Sequence, residues 1–364
     1  MQQRDLRYYW HADRCDPRIA SVRLRLLQPV AFLQSTGVSV DTSDVAFDPS
    51  RHDVVLFCKS VSEGALEIAL RAKAAGKFIV YDICDNVFAG KDNKKTARRS
   101  AAVRQMLALA DHVTFTTEVL RQQILEQVPY DIGKTSVIAD CLDCFEQGGS
   151  GRSVQSLRAY HRTANFLRRN EGALHCIWFG KSQGKKSGLA HLQAAVRYLE
   201  GFSKRFPVTL TILSNRPFRY WLYSRSWKIP HHYEAWDLNN FGDILAMHDV
   251  TVIPLEQNEY TLGKTINRPA TAIMAGLGVI ADSIPAYEEL RPYIPLDDWS
   301  AQLERYWNCA PSGDPQLAQA RLYLESRYGK EQLGRQWLEL LSMPSSMAAG
   351  GRAAEEVQPR DLPL

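Results

Sequence analysis

No run of 18 uninterrupted apolar residues occurs in this 364-residue chain, which argues against a membrane-spanning helix. The N-terminal segment, MQQRDLRYYWHADRCD, lacks the long apolar core of a secretory leader. Cysteine is sparse and its count is odd: Cys15, Cys58, Cys84, Cys141, Cys144, Cys176 and Cys309 follow no disulfide-scaffold spacing. Several lie in apolar strand-like runs (VVLFCK, HCIWFG), the pattern of reduced, buried thiols in a cytoplasmic protein. Cys141 and Cys144 have redox or zinc spacing, but no second pair accompanies them. HExxH, the nucleophile elbow and the protein-kinase signatures are absent. The run from Gly180 comes nearest to GxxxxGK[ST] and does not meet its spacing, so no P-loop is present. Charge is also modest. A formal +4 and a pI of 8.6 are too mild to argue for nucleic acid, and suit an anionic small ligand or a membrane surface.

What is present is an ordinary globular balance, 45% apolar and 23% charged, in a chain long enough for two cores. Strand-like and helix-like segments alternate in both halves. In the first half the strands are LRYYW (6–10), DVVLFC (53–58), KFIVY (77–81), 112–116 and 135–139. Helical spacing appears over 22–34, 63–75, 101–109 and 118–127. Gly148-Gly-Ser-Gly151 is the strongest interior breaker. The second half repeats the alternation from CIWFG (176–180) through VTLTIL (208–213) to helices over 317–328 and 331–341. This predicts an α/β protein of two Rossmann-like, doubly wound domains facing across a cleft. The expected divisions are 1–147, a linker at 148–172, a second domain at 173–315, and closing helices at 316–341 that can return to the first domain. A tail at 342–364, rich in Pro, Gly, Ala and charge, is expected to be disordered.

The most informative stretch is DVTVIPLEQNEYTLGKTINRPATAIMAGLGVIADSIPAYEEL (249–290). It reads as a strand, a polar loop with fixed positive charge, a helix over 269–275 and a second strand. Ligands of open α/β sheets bind at the carboxyl ends of the strands. Lys264, Asn267 and Arg268 gather at a helix start, where a cation is unfavourable unless an anion joins it. A second loop, Gly180 to Gly188, follows a buried strand and carries Lys181, Lys185 and Lys186. It suits a phosphate, although a lysine-rich loop can equally be a solvated one. Asn215 ends the next strand of the same sheet. In the first half Asp82 and Asp85 end one strand and Cys58-Lys59-Ser60 its neighbour. Such carboxylates serve either as bases and hydroxyl-orienting groups or as turn caps. Arg18, Arg23 and Arg25 lie at the first long helix, facing either the cleft or solvent. His231 and His232 are adjacent on a strand, so their side chains point to opposite faces and cannot readily share an ion.

These pieces resemble the GT-B glycosyltransferases, in particular the group around glycosyltransferase family 4. WFG…GKKSGL, VTLTILSN and HDVTVIPL…KTINRPATAIMAGLGVIAD…YEEL carry the resemblance, with RLRLLQPVAFLQSTGVSV, DVVLFCK and IVYDICDN more loosely in the first half. It implies transfer of a sugar from a nucleotide-diphosphate sugar to an acceptor held by residues 1–145, with retention and without a metal or other cofactor. By the same resemblance, Lys181 and Lys185 or Lys186 meet the donor diphosphate, joined by Lys264, Thr265, Asn267 and Arg268. Glu288 or Glu289 reaches sugar or ribose hydroxyls. Asp85, Lys264 and Arg268 are the catalytic candidates, with Asn215 beside the donor. Two departures stand out: Gly263 and Thr271 occupy places where many members carry glutamates, and Cys84-Asp85 stands where His-Asp is common. The expected partners are a nucleotide sugar and a saccharide, lipid-linked glycan, protein or small-metabolite acceptor, with no nucleic acid and no obligate protein subunit. Basic segments 91–99 and 164–169 permit peripheral contact with the inner face of a membrane. The competing readings are a sugar-nucleotide epimerase of the same fold and a weakly catalytic binding partner.

Overall fold

The computed structural model of the chain describes residues 6–89, 94–143, 145, 153–182 and 188–349, with backbone alone at 95 and 343–349. Eleven strands form two all-parallel sheets among the described residues. The first contains β1 (Tyr8–His11), β2 (Val40–Thr42), β3 (Val54–Cys58), β4 (Phe78–Ile83), β5 (His112–Phe115) and β6 (Lys134–Val137), in the order β2-β1-β3-β4-β5-β6. The second contains β7 (Leu174–Phe179), β8 (Val208–Ser214), β9 (His231–Ala235), β10 (Val250–Ile253) and β11 (Gly278–Ala281), in the order β11-β10-β7-β8-β9. Every residue of β3, β4 and β8 is buried. Helices cover both faces of each sheet, so these strands are buried continuously rather than on alternate residues. Ser62, Thr117 and Ser153 start helices by accepting the backbone N–H three residues on.

In the segment 148–172, where the run SLRAYHRTANFLRR reads as helical, the helix Val154–Arg168 forms, with Ser156, Ala159, Thr163 and Leu167 buried at helical spacing. Arg162 clamps that helix to β9 through Nε and Nη2, each 2.7 Å from a Glu234 carboxylate oxygen. The breaker cluster at 148–151 lies outside the described residues. At the other end the helix Lys330–Ala349 continues past 342, where a tail was expected. Residues 350–364 lie outside the described residues.

The closing helices divide between the domains. Leu317, Ala320, Leu324 and Tyr328 of the helix Pro315–Tyr328 join the core of the second sheet. Trp337, Leu340 and Leu341 cross back and pack with Trp10, Leu26, Val30 and Leu33 of the first. The Trp10 and Trp337 rings meet edge to face at 4.8 Å. The carboxyl ends of both sheets consequently face one cleft, where the site is assembled.

Candidate functional site

The helical run entering the first domain has an unusual section. Between Ala20–Val22 and Gln28–Ser35, residues Arg23–Leu27 are wound as a π-helix. Such segments are frequent at functional sites. Arg25 points inward and is fully buried. Its guanidinium is bidentate on Asp82, and Nη1 donates to the carbonyls of Ile138 and Ala139. Thr114 Oγ1 donates to Asp82 as well, at 2.6 Å. This buried ion pair is saturated with hydrogen bonds, the condition under which it is tolerated. Asp82 is therefore committed to the cleft floor. Arg18 and Arg23 line the cavity, whereas Arg25 lies beneath it.

The cavity between the domains has a volume of about 430 Å³. Its lining includes six cations (Arg18, Arg23, Lys59, Lys181, Lys264, Arg268) against three carboxylates (Asp85, Asp140, Asp143). Asp85, after β4, is bracketed by Lys59 from the same domain and Lys264 from the other. Lys59 reaches it from a left-handed backbone conformation, φ 51°, unusual for a residue with a side chain. Lys264 Nζ also donates to the Tyr260 hydroxyl at 2.8 Å. Burial, the largest influence on that phenol, pushes its pKa up, yet Lys264, Lys59 and Arg268 bring it below the ordinary value. The lowered phenol reports a locally positive potential.

Asp140, after β6, is the other inter-domain acceptor. Asn267 Nδ2 donates to it at 2.7 Å. Burial raises its pKa against the pull of Arg25 and the Asn267 hydrogen bond. The structure thus turns Asn267, expected on a donor anion, toward the first domain, while Thr265 lines the cavity. Sequence reasoning passed over Asp140 and gave Lys59 no role. Both end strands, at the same topological level as Asp85, and that placement was the available signal.

The helix after this loop begins at Asn267 rather than at Pro269, so Arg268 and Pro269 lie in its first turn. Proline is accepted there because its missing N–H would have no helical partner. The N-cap, Ile266, offers no side-chain acceptor. Arg268, half-buried beside this end, has no carboxylate partner among the described residues. Its guanidinium packs on the end of β7, and a Cβ at Gly180 would lie 2.9 Å from Nη2. Lys181 follows directly, exposed and also without an ion-pair partner among the described residues. Asn215 lines the cavity, but its Oδ1 accepts the Ser182 N–H at 3.0 Å and so holds the start of the Lys181 loop. Lys185 and Lys186 lie outside the described residues. Uncapped helix N–H groups beside two cations without carboxylate partners among the described residues are an arrangement that favours an anion.

Glu288 and Glu289, expected on sugar or ribose hydroxyls, do not line the cavity. Glu288 pairs with Arg291 at the surface. Glu289 accepts from the Tyr323 and Tyr328 hydroxyls and pairs with Arg327, which fastens the helix Pro315–Tyr328. Tyrosine partners twenty or more residues downstream left no trace in the local pattern. Gly263 is constrained by the other domain. A Cβ there would meet Gln123 Oε1 at 2.6 Å and Leu120 Cδ1 at 3.3 Å. Around it Gln123 and Asn86 donate to the Glu259 carbonyl, and Thr117 to that of Gly263. Thr271 is buried and lines the cavity.

Comparison with solved structures places this architecture. The trehalose-6-phosphate synthase from E. coli bound with UDP-2-fluoro glucose is 12% identical, with 92% of this chain and 98% of that one covered and a TM-score of 0.60. WaaG, a glycosyltransferase involved in lipopolysaccharide biosynthesis, is 12% identical over 94% and 100% of the two chains, TM-score 0.58. The fold is GT-B. A putative UDP-N-acetylglucosamine 2-epimerase from Listeria monocytogenes, 10% identical over 97% and 99%, shares it less closely at 0.51. No family model matches the chain, and no curated protein matches it by sequence.

Proposed function

We propose that this protein is a glycosyltransferase that takes a sugar from a nucleotide-diphosphate donor, and that the anion site at Arg268 receives the diphosphate. The observation that carries the reading is Arg268 itself. A half-buried guanidinium at an uncapped helix start, with no carboxylate partner among the described residues, invites an anion. The donor analogue UDP-2-fluoro glucose bound to a GT-B neighbour supports the same class of ligand. Lys181 and Lys264 would add charge as the glycosidic C–O bond to phosphate breaks and negative charge grows on the leaving oxygen. Fixed cations stabilise that charge without reorganising. In the proposed retaining course the acceptor oxygen bonds to the anomeric carbon on the face the diphosphate leaves. The acceptor proton passes to a departing phosphate oxygen, so no enzyme nucleophile is needed. No metal is assigned to the step. Asp85 would release Lys264 to the donor while keeping Lys59, and stand by the acceptor.

A second reading is a nucleotide-sugar-binding subunit with little turnover. It is favoured by Gly263 packed on Gln123 and by Lys264 held on Asp85. A thermal-shift panel of UDP-, GDP-, ADP- and TDP-sugars separates them, followed by turnover and NMR of the anomeric product. Binding with slow hydrolysis or transfer supports the transferase. Binding with no turnover selects the subunit reading, no binding rejects both, and an inverted product removes the retaining course.

A further inference from the structure

The helix Pro217–Ser224, which follows β8, is amphipathic in an unusual sense: its core side is already complete while its outer side remains apolar. Tyr220 and Tyr223 pack on the second-domain core and Ser224 is buried. Outward, Phe218 is 70% exposed and Trp221 and Leu222 are each 50% exposed. These three stand at positions i, i+3 and i+4, so they share one helix face. The Phe218 and Trp221 rings are 5.8 Å apart, and the Arg225 guanidinium lies 3.6 Å from the Trp221 ring centre. Exposed Arg216 and Arg225 cap the two ends of this helix, and exposed Lys228 follows three residues on.

Charge identifies what covers it. Between Glu200 and Glu234 the chain has six Lys and Arg and no Asp or Glu, so the remainder is net negative although the whole is +4. A second copy seated on the same patch would set these cations against themselves, which an isologous contact does not relieve. An anionic bilayer relieves it. Aromatic side chains settle at the headgroup level, and arginines and lysines beside them attract acidic lipid.

We propose that Phe218, Trp221 and Leu222 insert into the interface of an anionic phospholipid membrane, with Arg216, Arg225 and Lys228 on the headgroups. Because Asn215 lines the cavity and precedes the helix by two residues, the bilayer would lie beside the cleft mouth. An acceptor carried on a lipid would then reach the cavity from the membrane. That consequence rests on the transferase reading, whereas membrane binding itself does not.

The test is co-sedimentation of the full chain with phosphatidylcholine vesicles, with and without about 30 mol% phosphatidylglycerol. Binding that needs the anionic lipid and weakens with salt is expected. Phe218→Ser/Trp221→Ser/Leu222→Ser should lower the partition at least about tenfold with thermal stability and nucleotide-sugar binding unchanged. Should the triple variant misfold, Arg216→Gln/Arg225→Gln/Lys228→Gln should abolish the preference for anionic vesicles. The proposal is overturned if the unmutated protein stays in the supernatant, or if folded variants bind as it does. It is also overturned if Lys94→Gln/Arg98→Gln/Arg99→Gln alone removes binding, or if the patch instead drives vesicle-free self-association. Loss of vesicle binding with donor binding intact leaves the transferase reading standing, so the two fail separately.

Discussion

Replacing Arg268 by alanine separates a ligand-binding arginine from a structural one, because the two make opposite demands on the empty protein. Arg268 has no carboxylate to lose among the described residues, and its guanidinium lies 5.9 Å from the Trp178 ring centre, a weak contact. The empty variant should therefore unfold within about 0.5 kcal/mol of the parent. A donor phosphate, by contrast, loses a charge-assisted hydrogen bond of about 1.5–3 kcal/mol, or roughly 10- to 150-fold in affinity. At a donor concentration of about 100 times the parent Kd, ligand stabilises the parent by about 2.7 kcal/mol. A variant weakened about 100-fold would gain only about 0.4 kcal/mol at the same concentration. Isothermal titration and thermal shift measure the two quantities independently. An unchanged Kd for a responding donor refutes the site. A loss of about 2 kcal/mol or more in the empty protein refutes the claim that the guanidinium awaits an anion.

Asp82→Ala leaves Arg25 buried with two carbonyls and Asp140 at 3.7 Å, and should cost about 3–5 kcal/mol in urea unfolding. A loss under about 1 kcal/mol would mean the pair is not structural. Gly263→Glu places a carboxylate beside the cavity loop, but its side chain must displace Gln123. The expected result is a larger radius of gyration by X-ray scattering and weaker donor binding, both relieved by Gln123→Ala. Unchanged scattering with tighter donor binding would refute that account. Burial lowers the pKa of His248 to about 3 and that of His112 to about 4, against 6.5 unfolded. Below pH 6.5 the unfolded chain binds the extra protons, so stability falls as pH drops from 6.5 toward those values, by up to about 1.4 kcal/mol per pH unit for His248. Urea midpoints between pH 7 and pH 5 check the sign, and a midpoint that rises on acidification would contradict it.

Alternating apolar runs and helical spacing made two parallel α/β domains legible, because strands buried on both faces read as near-continuous apolar runs. The stretch 249–290 also marked its own anion loop, since cations at a helix start are locally unfavourable and so conspicuous. Local pattern could not assign the carboxylates. Asp82 and Asp85 end the same strand three residues apart, yet one meets buried Arg25 and the other lies between Lys59 and Lys264. Glu289 looked available until Tyr323 and Tyr328 took both its oxygens. The amino-acid order determined the sheets, the cleft level and the presence of an anion loop, because each depends on neighbours along the chain. Tertiary structure alone decided which carboxylate faces the cavity, that Asp140 binds the loop of the other domain, and that a side chain at position 263 would meet Gln123 of the first domain. Those outcomes depend on partners distant along the chain, 57 residues for Asp82 and Arg25 and 127 for Asp140 and Asn267, whose approach only the packed domains define.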